Sequence, residues 1–160
     1  MNKVIILILV LVSSLAFGQT VKDTKKQKAI DAIIGTWIFK SGIIKDKVLG
    51  DTKIETWSTD TLHFYSNMTV KINTHDRMQG KVIKRKGLWD ISDNTDTLVL
   101  KELQAIPPYN EPVTNTQLPI KLKTNRLIIF YSVSLKLDER DSTSISTEPG
   151  TAEISYGRLK

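Results

Sequence analysis

Ile30-Asp31-Ala32-Ile33-Ile34-Gly35-Thr36-Trp37-Ile38-Phe39 is the stretch in which the chain changes its period. Ile30, Ile33 and Ile34 stand at i, i+3 and i+4, which puts three apolar side chains on one face of a short helix. Gly35 ends it. From Thr36 onward apolar and polar residues alternate, the period of a strand with one buried face, and helical spacing does not return. Strand-like runs rich in Val, Ile, Thr and aromatics follow at Thr36 to Lys45, Lys53 to Ser58, Thr61 to Ser66, Thr69 to Thr74, Lys81 to Ile91, Thr97 to Ala105, Gln117 to Lys123, Arg126 to Leu135 and Thr151 to Leu159. Turn-formers separate them: Thr59-Asp60, Asn67-Met68, Asp93-Asn94 and Thr124-Asn125. Short strands without intervening helices predict an all-β fold, an antiparallel meander closed into an up-and-down β-barrel or stacked as a sandwich. A parallel sheet would need crossover segments that this chain lacks.

Two stretches break the rhythm. Ala105 to Pro119 carries Pro107, Pro108, Pro112 and Pro119 around Tyr109, and is expected to form an ordered loop, because proline donates nothing to a ladder. Lys136 to Gly150 is rich in Asp, Glu, Ser and Thr and closes on Pro149-Gly150, which predicts a long hydrophilic loop. Binding function concentrates in such loops.

Upstream of the helix, Lys3 precedes the apolar run Val4 to Val12, and Ala16-Phe17-Gly18 supplies small residues where a signal peptidase cuts. Residues 1–18 are therefore read as an export signal cleaved before Gln19, residues 19–29 as a flexible polar leader, and residues 30–160 as one domain. An uncleaved anchor needs roughly 20 predominantly apolar residues, and this run meets Ser13 and Ser14 first. The rest of the chain offers no transmembrane span, and the expected location is periplasmic or extracellular. With no cysteine, the domain must hold by packing alone. The net charge of +6 is modestly basic. An exported protein meets no nucleic acid in its ordinary work, so the excess points instead to anionic lipid, glycan or cell-surface polymer. Lys81, Lys84, Arg85 and Lys86 read as a solvated strand face.

The inventory for catalysis is thin. His63 and His75 are the two histidines; the first alternates outward between Leu62 and Phe64, and the second falls in the turn Thr74-His75-Asp76. Thiol nucleophiles and thiolate metal sites need cysteine. Asp90, Asp93 and Asp96 lack the spacing that wraps calcium and read as turn acids. The expectation is a protein that is not an enzyme, with no cofactor and no metal. Asp60-Thr61-Leu62 and Asp96-Thr97-Leu98 resemble short O-glycosylation sites of exported bacterial proteins, and also read as ordinary turn-to-strand junctions.

A short helix followed by Gly35-Thr36-Trp37 at the head of the first strand resembles the lipocalin signature. Leu62-His63-Phe64, Gly87-Leu88-Trp89-Asp90-Ile91, Leu98-Val99-Leu100, Asn125-Arg126-Leu127-Ile128 and Tyr156-Gly157-Arg158 follow in order, and together they are similar to small exported lipocalin-like domains of Gram-negative bacteria, calycin-type barrels, over Ile30 to Lys160. Asn67-Met68 departs from the Asp-Gly or Asn-Gly that many relatives carry at that turn. The resemblance implies about eight strands, with Trp37 plugging one end of the barrel and Arg158 stacked across it.

Alternation sends Trp37 and Phe39, Leu62 and Phe64, Val70 and Ile72, Trp89 and Ile91, Leu98 and Leu100, and Ile154 and Tyr156 inward. These either fill the barrel or line a cavity. Arg85 shares the parity of Gly87 and Trp89, so it points into a barrel mouth to meet a carboxylate or anionic head group, unless a bulge at Arg85-Lys86-Gly87 turns it out. The expected ligand-binding set is Phe64, Ile72, Arg85, Trp89, Leu98 and Leu100. What the resemblance implies is binding of a small apolar or amphipathic ligand; the alternative is a protein- or glycan-interaction module that acts through its long loops.

Overall fold

The computed structural model describes residues 24–46, 50–54, 58–76, 80–133 and 150–159. A helix, α1, covers residues 24–33 and leads into β1 (Gly35–Asp46). There follow β2 (Gly50–Lys53), β3 (Ser58–Phe64), β4 (Thr69–Asp76), β5 (Lys81–Ile91), β6 (Thr97–Ala105), β7 (Thr114–Lys123), β8 (Arg126–Val133) and β9 (Gly150–Arg158). β1 pairs with both β3 and β9, and each strand from β3 to β9 is antiparallel to the next, so these eight close into an up-and-down barrel. β2 lies along the C-terminal half of β1, Ile43 opposite Lys53, and extends the line of β3. Closure removes the sheet edges that a disulfide-free domain would otherwise expose. The expected export signal, residues 1–18, lies outside the described residues, as does the hydrophilic loop up to Gly150, which begins β9.

The α1 end of the barrel is shut by a clasp. Trp37 is fully buried, and its Nε1 donates to the Ile33 carbonyl at 2.8 Å. Arg158, its register partner on β9, places its guanidinium carbon 5.6 Å from the Trp37 ring centroid and donates to the Ile34 carbonyl. Helix C-termini leave carbonyls unpaired and carry partial negative charge, so a ring N–H and a cation are the groups this end needs. Gly35 makes the approach possible: its φ is +133°, and a Cβ there would stand 3.3 Å from the Arg158 guanidinium. The Trp37–Arg158 contact that the lipocalin resemblance implied is therefore present.

Several boundaries differ from expectation. Residues 24–29, expected in a flexible leader, form the first turns of α1. They are held by Lys26, whose Nζ lies 3.2 Å from Asp90 and 3.6 Å from Asp93, and by Gln27 donating to Asp31 one turn on. Pro119, expected in a loop, sits inside β7 opposite Thr97. Ile120 sends its N–H to Asp96 on the β6 side, so the N–H that Pro119 lacks would have faced β8, and the β7–β8 ladder starts only at Ile120. The run Lys53 to Ser58 is interrupted at Ile54, which follows the end of β2, and its residues 55–57 lie outside the described residues. Thr59-Asp60, read as a turn, lies within β3, where Asp60 pairs with Thr74. His75, likewise, lies in β4 and not in a turn. At Asn67-Met68 the turn is real: Met68 takes a φ of +62°, and Asn67 Oδ1 accepts from the Thr69 backbone and hydroxyl.

Candidate functional site: the barrel interior

The interior divides into a floor and a lined upper part. Near the clasp, Trp37, Phe64, Trp89, Ile91, Leu98 and Leu127 are no more than 2% exposed. Phe64 and Trp89 meet edge to face with centroids 5.1 Å apart, a geometry worth about 0.5–1.5 kcal/mol beyond the area buried. One inward position further from the clasp, the pattern changes on several strands together. β1 passes from buried Trp37 to half-buried Phe39, β4 from Val70 to Ile72, β8 from Ile129 to Tyr131, and β9 from Tyr156 to Ile154. β3 does the same from Leu62 to Asp60, and β5 from Trp89 to Arg85. An inward side chain of a closed barrel that keeps accessible surface borders space that solvent can enter.

Polar groups converge on this level. The Tyr156 hydroxyl donates to Asp60 Oδ2 at 3.3 Å, reaching from β9 across β1 to β3, and its ring meets Phe39 edge-on at 6.3 Å. Tyr131, on the neighbouring strand β8, stands at the same level. Burial, with the Asp60 charge beside it, pushes the Tyr131 hydroxyl up to about 12, and burial raises Tyr156 further. Both tyrosines are therefore neutral at physiological pH. The other Asp60 oxygen, Oδ1, is buried, and no donor reaches it among the described residues. Such an atom is a standing cost of about 1–3 kcal/mol until something donates to it.

Arg85 completes the level from β5, two strands from Asp60 with Thr74 of β4 between them. The β4–β5 ladder runs without a break from Thr69↔Leu88 to Asp76↔Lys81, so Arg85 keeps its inward parity. The bulge weighed for this region lies on the partner strand: pairing steps from Lys86↔Gln104 to Leu88↔Lys101, leaving Glu102 and Leu103 opposite Gly87. Arg85 does meet a carboxylate, and it is the chain's own. Nε and Nη2 donate to the two oxygens of Glu111, in the loop after β6, at 2.7 and 2.8 Å, while Nη1 donates to Thr74 at 3.1 Å. The hydrogen bonds from Arg85, with its charge, hold the Glu111 carboxyl below its ordinary range.

All six expected site residues face the interior, but they do different jobs. Phe64, Trp89, Leu98 and Leu100 make the floor, Ile72 stands in the wall, and Arg85 latches the loop over residues 106–113, whose Ile106 N–H also bonds to the Lys84 carbonyl. Asp60, Tyr131 and Glu111 were missed. Asp60 shares the parity of Leu62 and Phe64, a signal its turn propensity hid; nothing in the sequence ties Glu111 to Arg85. Outside the barrel, His63 Nδ1 lies 3.0 Å from the Thr36 hydroxyl and Nε2 lies 3.5 Å from Asn73. Asp90 and Asp93 hold α1 through Lys26, and Asp96 accepts from Ser92 and Thr97. Thr61 lies in the β3 ladder between β1 and β4, and the Thr97 hydroxyl is engaged by Asp96.

The architecture is that of an eight-stranded, closed antiparallel barrel with a helix before its first strand, consistent with a calycin-like fold. No protein-family model and no curated protein matches the chain. Among the described residues, no helix is long and apolar enough to cross a membrane.

Proposed function

We propose that this chain is an exported, non-enzymatic, lipocalin-like protein that takes up a small apolar or amphipathic molecule at the barrel end away from Trp37. The molecule rests on the floor built by Phe64, Trp89, Leu98 and Leu100, against Phe39, Ile72, Tyr131 and Ile154. One observation carries the reading: the change from buried to half-buried at the second inward position on several strands. Apolar walls with a few converging polar groups are the usual make-up of a small-molecule site. Export is supported by Lys3, the apolar run Val4 to Val12 and the small residues Ala16 and Gly18. A non-catalytic role is supported by the histidines: His63 is tied to Thr36, and His75 is exposed on β4 away from the interior groups.

The test is titration with Nile red, an uncharged probe that brightens in apolar surroundings. The wild-type protein should bind about one probe per chain, and Ile154→Trp, which fills the wall, should lose that binding while keeping the far-ultraviolet circular dichroism of the wild type. Binding that survives in the folded Ile154→Trp protein, or a wild type that takes up no probe, contradicts the interior site.

A further inference from the structure

We infer that the ligand carries a positively charged, hydrogen-bond-donating head group, a primary ammonium being the simplest, and that Asp60 receives it. This rests on the reading of the interior as a binding site and adds the chemistry of the molecule bound there. Inward-facing charge decides the sign. At the rim Asp76 and Lys81 stand opposite one another in register, and deeper in Arg85 is held by Glu111 along its Nε–Nη2 edge and by Thr74 at Nη1. Among the described residues no cation is hydrogen-bonded to Asp60: Arg85 reaches Thr74, the cross-strand partner of Asp60, with Nη1, but gives Nε and Nη2 to Glu111. An anionic head group would meet the Asp60 charge with no free guanidinium to balance it, which reverses the preference that Arg85 suggests when considered by itself.

Hydrogen-bond capacity gives the same answer. The carboxylate of Asp60 accepts one long bond, 3.3 Å, from Tyr156 and leaves Oδ1 buried and unpartnered. A carboxylate only accepts, so the group that completes it must donate. Tyr156, Tyr131 and Phe39 line the same level, and aromatic faces stabilise an ammonium where water is scarce. The apolar floor below then takes an alkyl or aryl body.

Calorimetric titration of the folded mature chain with decylamine, decanol and decanoate separates the claims, because the three share one tail and differ in the head. Decylamine should bind about tenfold or more tightly than either of the others. Asp60→Asn should remove that advantage, so that decylamine and decanol bind the variant alike. The inference is overturned if decanoate or decanol binds as well as decylamine to the wild type, a comparison that needs no variant, or if folded Asp60→Asn keeps full affinity for the amine. Should none of the three bind, the interior-site reading itself fails.

Discussion

At Gly87 a hydrogen stands where any other residue would carry a Cβ, and that Cβ would lie 2.7 Å from the Lys101 carbonyl oxygen and 3.0 Å from Leu103 Cα. Both are backbone atoms of the β6 bulge, which is kept open by Glu102 at a φ of +52°. The bulge moves the inward parity of β6 from Leu98 and Leu100 to Leu103 and Ala105, all four of them buried. Gly87→Ala should therefore cost about 1–3 kcal/mol, the range for overpacking a closed site, and a urea midpoint equal to that of the wild type would show that the bulge yields freely. Tyr131 makes a second residue-level prediction. Its folded pKa stands near 12 against an ordinary 10, so the folded state holds the proton more tightly than the unfolded chain. The resulting stability is complete below about pH 10 and is lost as pH rises toward 12, by roughly 2–3 kcal/mol from this group. Urea unfolding at pH 9 and pH 11.5 should show Tyr131→Phe losing less than the wild type, and parallel losses would assign the alkaline sensitivity to other groups.

Among the elements, β1 and β9 with α1 were the most legible in the sequence. Their pattern changes at Gly35, and Trp37 and Arg158 fall where closing the barrel must bring the strand ends together. The extents of the strands from Lys81 to Ala105 were equally plain, but their inward faces were not, because the bulge opposite Gly87 moves the parity of β6 partway along. β3 was harder: Thr59-Asp60 has turn chemistry, yet an interior hydroxyl donor stabilises the aspartate within a strand, and such a donor is a tertiary fact. β7 was read from Gln117 and begins at Thr114, because the proline-rich segment was taken as loop, while Pro119 within it is harmless where the neighbouring strand demands no donor. The loop over residues 106–113 belongs to neither case, being positioned by Arg85 and Glu111, far apart in sequence. The lowered Glu111 pKa signals that this latch is intact above the ordinary carboxylate range and is lost as pH falls through the folded value. Hydrogen exchange at the Ile106 amide should accordingly speed up in Glu111→Gln, and in the wild type at acid pH after correction for intrinsic rates. Equal protection in the variant would mean that the loop is held by other contacts.

For the whole molecule, closure and packing replace disulfides, and the division of labour runs along the barrel axis. The clasp and the floor bear the stability, while the level of Asp60, Tyr131, Tyr156 and Arg85 tolerates accessible surface and an unpartnered oxygen. A protein needing stability alone would fill that level with aliphatic side chains, since a buried polar atom without a partner costs free energy. The arrangement is reasonable if a ligand completes it. Native mass spectrometry of protein freshly purified from its own host tests this most directly. The account predicts a species heavier than the polypeptide by one small molecule, released on denaturation. A bare polypeptide mass under native conditions, unchanged after incubation with alkyl amines, alcohols and acids, would contradict it.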